Sequence, residues 1–323
     1  MTRTITRTLL AGAATLALAT GALAQERTLK LGHLANEDNT WHKAAVKFGE
    51  ELETLTDGRI AVEVYPNETL GAEVDLINGM QLGTADMTIT GESLQNWAPM
   101  AALLALPYAY DSLEEMDEVA GGEIGGRIEA QIIEKAQIRP IAYFARGPRN
   151  LTSNRPVTSP EELDGLKLRV PNVPLFVDTW KELGANPTPM AFSEVFTSLQ
   201  NGTIDAQENP LALIASANFN EVQDNVNLTE HVRSWIYLTL SEAVWSDLSA
   251  QDQEAVMEAA ARAQAHEREL FLADEERLVE ELKSRGMEFV EVDKAAFAAA
   301  AKPAVLANVP EEIRDTAAQL FEN

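Results

Sequence analysis

Residues Leu166–Pro210 read LKLRVPNVPLFVDTWKELGANPTPMAFSEVFTSLQNGTIDAQENP. This stretch predicts a strand, two helices and a polar turn that ends in Asn-Pro. In the strand, Leu166–Val170, apolar residues alternate with Lys167 and Arg169, so both cations face the same side. Pro171 ends the strand, which leaves Arg169 near a strand end. Open α/β sheets tend to place ligand groups at such ends, so Arg169 is a candidate ligand contact.

Two further polar residues flank this strand. Arg149 lies 20 positions before Arg169, in a strand-like run, and Asn209 lies 40 positions after it, before a proline. A guanidinium presents a planar fork of donors that matches a carboxylate, and an amide side chain can donate or accept. Each arginine alone is more often a surface cation. The combination predicts a pocket for a carboxylate.

Four segments together resemble the periplasmic solute-binding proteins of TRAP (tripartite ATP-independent periplasmic) transporters. They agree with that family in order, spacing and flanking residues, and they are Arg149 with the following LTSNR, LKLRVPN, the PTPMAFSEV run and AQENP. A looser similarity extends from about Leu29 to the C-terminus. The resemblance implies that Arg169 forms the main salt bridge to a ligand carboxylate, with Arg149 and Asn209 at two other ligand-contacting positions.

The resemblance also marks three residues beyond the arginines. Glu73 and Glu92 match positions that contact ligand hydroxyl groups, although surface carboxylates are the ordinary interpretation in so acidic a chain. Phe192 matches a position where an aromatic ring stacks over the ligand, and packing beside a helix cap is the equal alternative. Leu34 and Gln95 stand where the sialic-acid branch has asparagine and arginine, which argues against sialic acid.

The first 24 residues are predicted to be a secretory signal peptide. They contain two arginines and no acid, an apolar run over Leu9–Leu23, and the small-x-small sequence Ala22-Leu23-Ala24 before Gln25. The run is too short for a transmembrane helix, which needs about 20 apolar residues. We therefore expect a soluble periplasmic protein without a membrane anchor. The chain contains no cysteine, which excludes disulfides and thiolate chemistry.

The charge balance excludes several classes of partner. Without residues 1–24 the chain has 23 Lys and Arg against 51 Asp and Glu, a formal charge of −28. Such a field repels nucleic acid and anionic membranes, so an anionic ligand must be held by local arginines. The four histidines lie at no metal-ligand spacing, and no phosphate loop or dinucleotide fingerprint is present. We therefore expect no metal and no cofactor.

The fold class follows from the alternation of elements. Strands and helices alternate from the start of the predicted mature chain, which predicts a mostly parallel sheet with helices on both faces: Leu29–Leu34, Thr40–Leu55, Ile60–Tyr65, Glu73–Leu82 and Asp86–Thr90. A predicted helix from about Ser249 to Arg285 would span about 55 Å, longer than one lobe is wide. Together with the resemblance, this implies an α/β, two-lobed periplasmic-binding-protein-like fold with a long helix bridging both lobes.

The expected lobe boundaries follow the same pattern. Residues 25–146 and 235–274 are assigned to lobe I, and residues 147–234 and 275–323 to lobe II, with chain crossings near 146, 234 and 274. Two local predictions concern prolines. An alanine-rich helix over Ala295–Ala301 should end before Pro303, and Ser159 should open a capping box with proline at the first helical position.

The sequence therefore predicts a receptor without covalent chemistry that binds an organic acid between two lobes and delivers it to TRAP membrane subunits. A uronate or aldonate fits best, because hydroxyl groups would satisfy Glu73 and Glu92. A C4-dicarboxylate or an amino-bearing acid is the alternative ligand. A periplasmic enzyme and a ligand-presenting partner of a sensor remain alternatives. Turnover of the ligand would indicate the first, and an adjacent sensor-kinase gene the second.

Overall fold

The structure is a computed structural model that describes residues 26–322, without the side chains of residues 275 and 276. The predicted signal peptide, residues 1–24, lies outside this range. Within it the strands are β1 (Arg27–Gly32), β2 (Ile60–Tyr65), β3 (Met87–Thr90), β4 (Ile138–Ala145), β5 (Arg149–Ser153), β6 (Lys167–Val170), β7 (Asn186–Pro189), β8 (Ala206–Pro210), β9 (Asn225–Val232), β10 (Trp235–Ser241) and β11 (Glu288–Val290). They form two sheets, with orders β2-β1-β3-β10-β4 and β11-β9-β5-β8-β6-β7.

Helices cover both sheets. The α-helices are α1 (Thr40–Leu55), α2 (Glu73–Leu82), α3 (Leu113–Ala120), α4 (Glu123–Gln131), α5 (Pro174–Glu182), α6 (Val195–Gln200), α7 (Leu211–Ser216), α8 (Glu242–Asp247), α9 (Ala250–Ser284), α10 (Lys294–Asn308) and α11 (Arg314–Leu320). Each sheet forms the centre of one lobe, which confirms the predicted two-lobed α/β fold. No helix between residues 26 and 322 is both long enough and apolar enough to cross a bilayer.

Four of the five strands of the first sheet run in the same direction, as the prediction of a mostly parallel sheet requires, and β10 is the exception. Strand β1 is parallel to β2 and β3, but β10 is antiparallel to both β3 and β4. The register places Trp235, at the start of β10, opposite Ala145, at the end of β4. The chain leaves this sheet through β4 and returns through β10, so the two strands run in opposite directions.

The second sheet contains strands that the sequence did not reveal. The AQENP segment was predicted to be a turn, but it is strand β8, buried throughout between β5 and β6. Its polar side chains are paired within the lobe. Asn209 donates to Gln207 Oε1 at 2.6 Å, and Gln207 donates to the hydroxyl of Thr152 at 2.9 Å. A polar strand can be buried here because its hydrogen-bonding groups have partners.

Helix α9 has 35 residues and contacts both lobes. In its N-terminal half, Val256, Ala260 and Ala263 pack into the first lobe's core. Near its C-terminal end, Leu278 and Leu282 pack into a core of the second lobe. The helix therefore bridges the two lobes, as predicted. The residue boundaries of the lobes stay a prediction.

Two local predictions were wrong, that the alanine-rich helix ends before Pro303 and that Ser159 opens a capping box, whereas proline does stand at the start of the segment after Ser159, as predicted. Pro303 lies inside α10, which continues to Asn308. Proline lacks the N–H that a helix interior requires. The helix continues past Pro303 because one face of α10, which includes Phe297 and Val305, is buried. The Ser159 side chain does not cap the following segment, a 3₁₀-helix. Its hydroxyl donates to Glu161 Oε2 at 2.6 Å.

Candidate functional site

A cleft of about 600 Å³, with its mouth included, lies between the two lobes. Residues at the strand ends of both sheets form parts of its wall. All six residues predicted as ligand contacts line it: Glu73, Glu92, Arg149, Arg169, Phe192 and Asn209.

Arg169 is a buried cation without an anionic partner. It lies on β6 and is 3% exposed. Its Nε and Nη2 both donate to the carbonyl oxygen of Met190, at 3.2 and 2.8 Å, and its guanidinium carbon lies 5.9 Å from the centroid of the Phe192 ring. Burial lowers the pKa of Arg169 to about 10, although Glu208 opposes this shift. Within the described chain it forms no salt bridge, so its charge faces the cleft uncompensated.

Arg149, in contrast, is fully engaged by carboxylates. Its Nε and Nη2 form a fork with Glu208, at 2.5 and 2.7 Å, and its Nη1 lies 3.2 Å from Glu92 Oε1. His231 Nε2 contacts the same Glu208 carboxylate at 2.9 Å. Burial alone would raise the pKa of Glu208, but Arg149 and His231 hold it at about 2. Arg149 therefore lines the cleft as part of a buried charge chain.

Arg146 extends this charge chain, and the sequence interpretation missed it. It is buried, forms a salt bridge with Glu92, and donates from Nε to the hydroxyl of Ser234 at 2.8 Å. Burial would raise the pKa of Glu92, but Arg146 and Arg149 together lower it. The available signal was the position of Arg146 at the end of a strand, three residues before Arg149. Glu208, in the AQENP segment, was missed as well.

Glu73 and Glu92 are brought together on one wall of the cleft. Glu73, the first residue of α2, accepts hydrogen bonds from the hydroxyls of Thr90 and Ser93, at 2.5 and 2.9 Å. Burial and then the nearby Glu92 raise the pKa of Glu73. Gly91 precedes Glu92, and a Cβ there would lie only 2.7 Å from Cγ2 of Ile236. The close approach of β10 thus requires glycine at this point.

Asn209 and Phe192 complete the predicted set. Asn209 is 2% exposed, and Phe192 packs edge-on against Phe219 with ring centroids 5.7 Å apart. Phe192 therefore both lines the cleft and packs beside the helical segment that it begins. Leu34 also lines the cleft. Gln95 is not among the residues that line the cleft. Its side chain donates to the Glu92 carbonyl at 3.0 Å and accepts from the Leu175 N–H at 3.2 Å.

The site offers recognition groups and no visible metal centre. Within residues 26–322, no three His, Asp or Glu side chains converge as metal ligands. The wall combines one uncompensated arginine, an amide, two carboxylates that hydroxyl groups could approach, and an aromatic ring. Such a set can bind an anionic, hydroxylated small molecule.

Two α/β lobes with a charged cleft between them are the architecture found in solute receptors. The chain belongs to the bacterial extracellular solute-binding proteins of family 7, whose family model matches residues 31–310. Its relatives are TRAP solute-binding proteins, which are periplasmic. The resemblance in the sequence is thereby confirmed.

Two similar proteins can be compared with this chain. A solute-binding protein of Roseobacter denitrificans is 76% identical over 303 residues, covering 93% of this chain and 92% of the relative. A crystal structure of this same Roseobacter protein, a TRAP periplasmic solute-binding protein with bound L-galactonate, has a TM-score of 0.91 and 76% identity, and covers 92% of this chain and 99% of that one. The 2,3-diketo-L-gulonate-binding periplasmic protein of Escherichia coli is 33% identical over 284 residues, covering 87% of this chain and 86% of the relative.

Proposed function

We propose that this protein is a periplasmic receptor that captures a sugar monocarboxylate, an aldonate or a uronate, between its lobes. It then delivers the acid to the membrane subunits of a TRAP-type transporter. The observation that carries the proposal is Arg169, a buried guanidinium that faces the cleft and has no carboxylate partner among the residues that the structure describes. The L-galactonate and 2,3-diketo-L-gulonate of the two similar proteins support the ligand class. The predicted signal peptide supports the periplasmic location.

In this proposal each end of the ligand meets a different wall. The ligand carboxylate pairs with Arg169, and Asn209 and Arg149 border the same space. The hydroxyl groups approach the carboxyl groups of Glu73 and Glu92, and the ring of Phe192 covers the carbon chain. Glu73 and Glu92 already have partners in the protein, but a carboxylate has further lone pairs that a ligand hydroxyl can donate to, whereas a second ligand carboxylate would be a like charge beside them, so a polyhydroxylated acid fits this wall better.

Closure of the lobes allows the ligand to contact both walls of the cleft at once. Arg169, Asn209 and Phe192 belong to the lobe of the second sheet, whereas Glu73 and Glu92 belong to the lobe of the first. A ligand that contacts both walls binds the closed form more tightly than the open form, and this difference shifts the population. Exclusion of water also strengthens the arginine–carboxylate pair. The bound acid is released unchanged, because recognition and transfer require no covalent step.

A competition experiment tests the proposed ligand class. L-galactonate and succinate are offered to the protein at equal concentration, and bound acid is measured by mass spectrometry after rapid gel filtration. We expect L-galactonate to be retained, because sites that hydrogen-bond hydroxyl groups reject analogues without them by up to about 10⁴-fold. Retention of succinate in preference would overturn the sugar-acid assignment. A change in the recovered acid would indicate an enzyme.

A further inference from the structure

Side chains of the first lobe form hydrogen bonds with the main chain of the second lobe across the gap between them. We name these four the rim contacts: Asn36 Nδ2 to the Ser216 carbonyl at 2.7 Å, Glu68 Oε2 from Ser193 N–H at 2.9 Å, Gln95 Oε1 from Leu175 N–H at 3.2 Å, and Asn96 Nδ2 to the Asn172 carbonyl at 2.8 Å. In each one the side chain comes from the first lobe. They can form only when the two lobes lie together.

Among the four first-lobe side chains that form the rim contacts, Glu68 is the one that also lines the cleft. Asn67 and Glu68 have φ angles of 57° and 56°, a left-handed conformation that is unfavourable for residues with a Cβ. The loop is held in this shape by the Asn67 N–H, which donates to the Ala35 carbonyl at 2.9 Å, and by the Glu68 N–H, which donates to the His33 carbonyl at 3.0 Å. These two backbone hydrogen bonds fix the strained loop in a position from which the Glu68 carboxylate reaches the Ser193 N–H. Such strain is found at ligand clamps.

We propose that the rim contacts are a clamp that holds the cleft closed over its ligand, with Glu68 as the principal positioning residue. The proposal rests on the proposed function only for the ligand used to test it. Contacts that exist only in the closed form stabilise the bound state, and they contribute nothing to the first encounter of ligand with the open cleft. Loss of the clamp should therefore speed release and leave association unchanged.

Three substitutions separate the clamp from other roles of Glu68. Glu68→Ala removes the acceptor for Ser193 N–H. Glu68→Gln retains an acceptor oxygen without the carboxylate charge, so it distinguishes a hydrogen bond from an electrostatic effect. Asn96→Ala breaks a second rim contact at a different site on the same lobe. Glu53→Ala is the matched control, because Glu53 is an exposed residue of α1.

The experiment measures association and dissociation rates of L-galactonate by stopped-flow fluorescence. We expect the dissociation rate to rise about 10-fold in Glu68→Ala, as for loss of one hydrogen bond to a carboxylate, with an unchanged association rate. Asn96→Ala should also release ligand faster, whereas Glu68→Gln and Glu53→Ala should resemble the wild type. A wild-type dissociation rate in Glu68→Ala, or a Glu68→Gln variant as fast as Glu68→Ala, overturns the clamp.

The proposed function is judged by a separate variant in the same measurement. Arg169→Ala should lose affinity for L-galactonate if the carboxylate binds there. Unchanged affinity in Arg169→Ala would overturn the proposed ligand geometry. The clamp would still be tested separately, by the dissociation rates of the Glu68 variants. The two hypotheses can therefore fail independently.

Discussion

The carbonyl oxygen of Met190 accepts two hydrogen bonds from the guanidinium of Arg169, at 3.2 and 2.8 Å. A carbonyl fixes the plane of the guanidinium but carries no net charge to neutralise it. Arginine has five N–H donors, so this contact leaves others for the cleft. Arg169 is thus oriented in advance and is left without a counter-ion until a ligand supplies one.

Replacement of Arg169 should abolish most of the affinity for a sugar acid. Arg169→Ala is expected to cost roughly 2–5 kcal/mol of binding free energy, because it removes one partner of a buried charge pair. Arg169→Lys should restore part of this, since an ammonium supplies the charge without the planar fork. Isothermal titration calorimetry with L-galactonate measures both, with Arg314→Ala, on an exposed arginine, as the control. Near-normal affinity in a folded Arg169→Ala protein would contradict the assignment.

Ligand binding should make the molecule more compact. The cleft walls belong to different lobes, so a ligand that contacts both favours the closed form. Small-angle X-ray scattering should show a smaller radius of gyration with saturating L-galactonate than without it. The same addition to Arg169→Ala should leave its curve unchanged. Superimposable wild-type curves would argue against ligand-driven closure.

Glu92 should be essential for stability as well as for binding. Its carboxylate lies between Arg146 and Arg149, both buried, so Glu92→Ala leaves two charges without their shared partner. Breaking a buried ion pair from one side typically costs about 3–5 kcal/mol. Urea denaturation should show a loss of this order for Glu92→Ala, and a change within about 0.5 kcal/mol for the exposed Glu53→Ala. Equal stabilities would show that the arginines find other partners.

Glu267, in the middle of α9, predicts a pH effect on stability. It is 1% exposed, and burial raises its pKa from 4.5 to about 8, although the Ala145 N–H opposes this shift from 3.1 Å. Between these values the folded protein keeps a proton that the unfolded chain has lost, so stability falls as pH rises from 4.5 to 8 and then levels off. The largest slope from one group is about 1.4 kcal/mol per pH unit.

The variant Glu267→Gln isolates this contribution, because its side chain does not titrate. We expect the free energy of unfolding of Glu267→Gln, relative to the wild type, to increase steadily between pH 5 and pH 8, measured by urea denaturation at each pH. Other titrating groups, including Glu73 and Glu208, are present in both proteins and cancel in the difference. Parallel pH profiles would show that Glu267 is ionised in the folded protein at every pH tested.

Sequence patterns predicted those helices and strands whose form depends mainly on their own residues. Ile60–Tyr65 and Glu73–Leu82 were predicted with the observed bounds, because alternation and helical spacing report on the face that each element buries. Asn39, of a residue type favoured at helix N-caps, precedes α1, and its side chain accepts from the Trp41 N–H at 3.0 Å. Gly121 and Gly122 separate α3, which ends at Ala120, from α4, which begins at Glu123.

Other elements depend on distant residues, which no local pattern shows. Strand β8 is polar in sequence, and it can lie inside a sheet because Thr152, from β5, pairs with Gln207. The helix α10 passes through Pro303 because the buried face of α10 packs against the rest of the lobe. The antiparallel β10 follows from the route of the chain between the lobes.

The sequence by itself determined the family, the two-lobed α/β architecture, and a set of six residues that the fold gathers around one cleft. The resemblance marked Arg169 as the main contact of the ligand carboxylate, but the sequence did not show which of Arg149 and Arg169 has a counter-ion within the protein. Only the tertiary structure decided that difference. It brings Glu92 and Glu208, 57 and 59 positions away in the chain, onto Arg149 and leaves Arg169 with a carbonyl. A buried charge requires a counter-ion, and which charge already has one depends on contacts that chain folding creates.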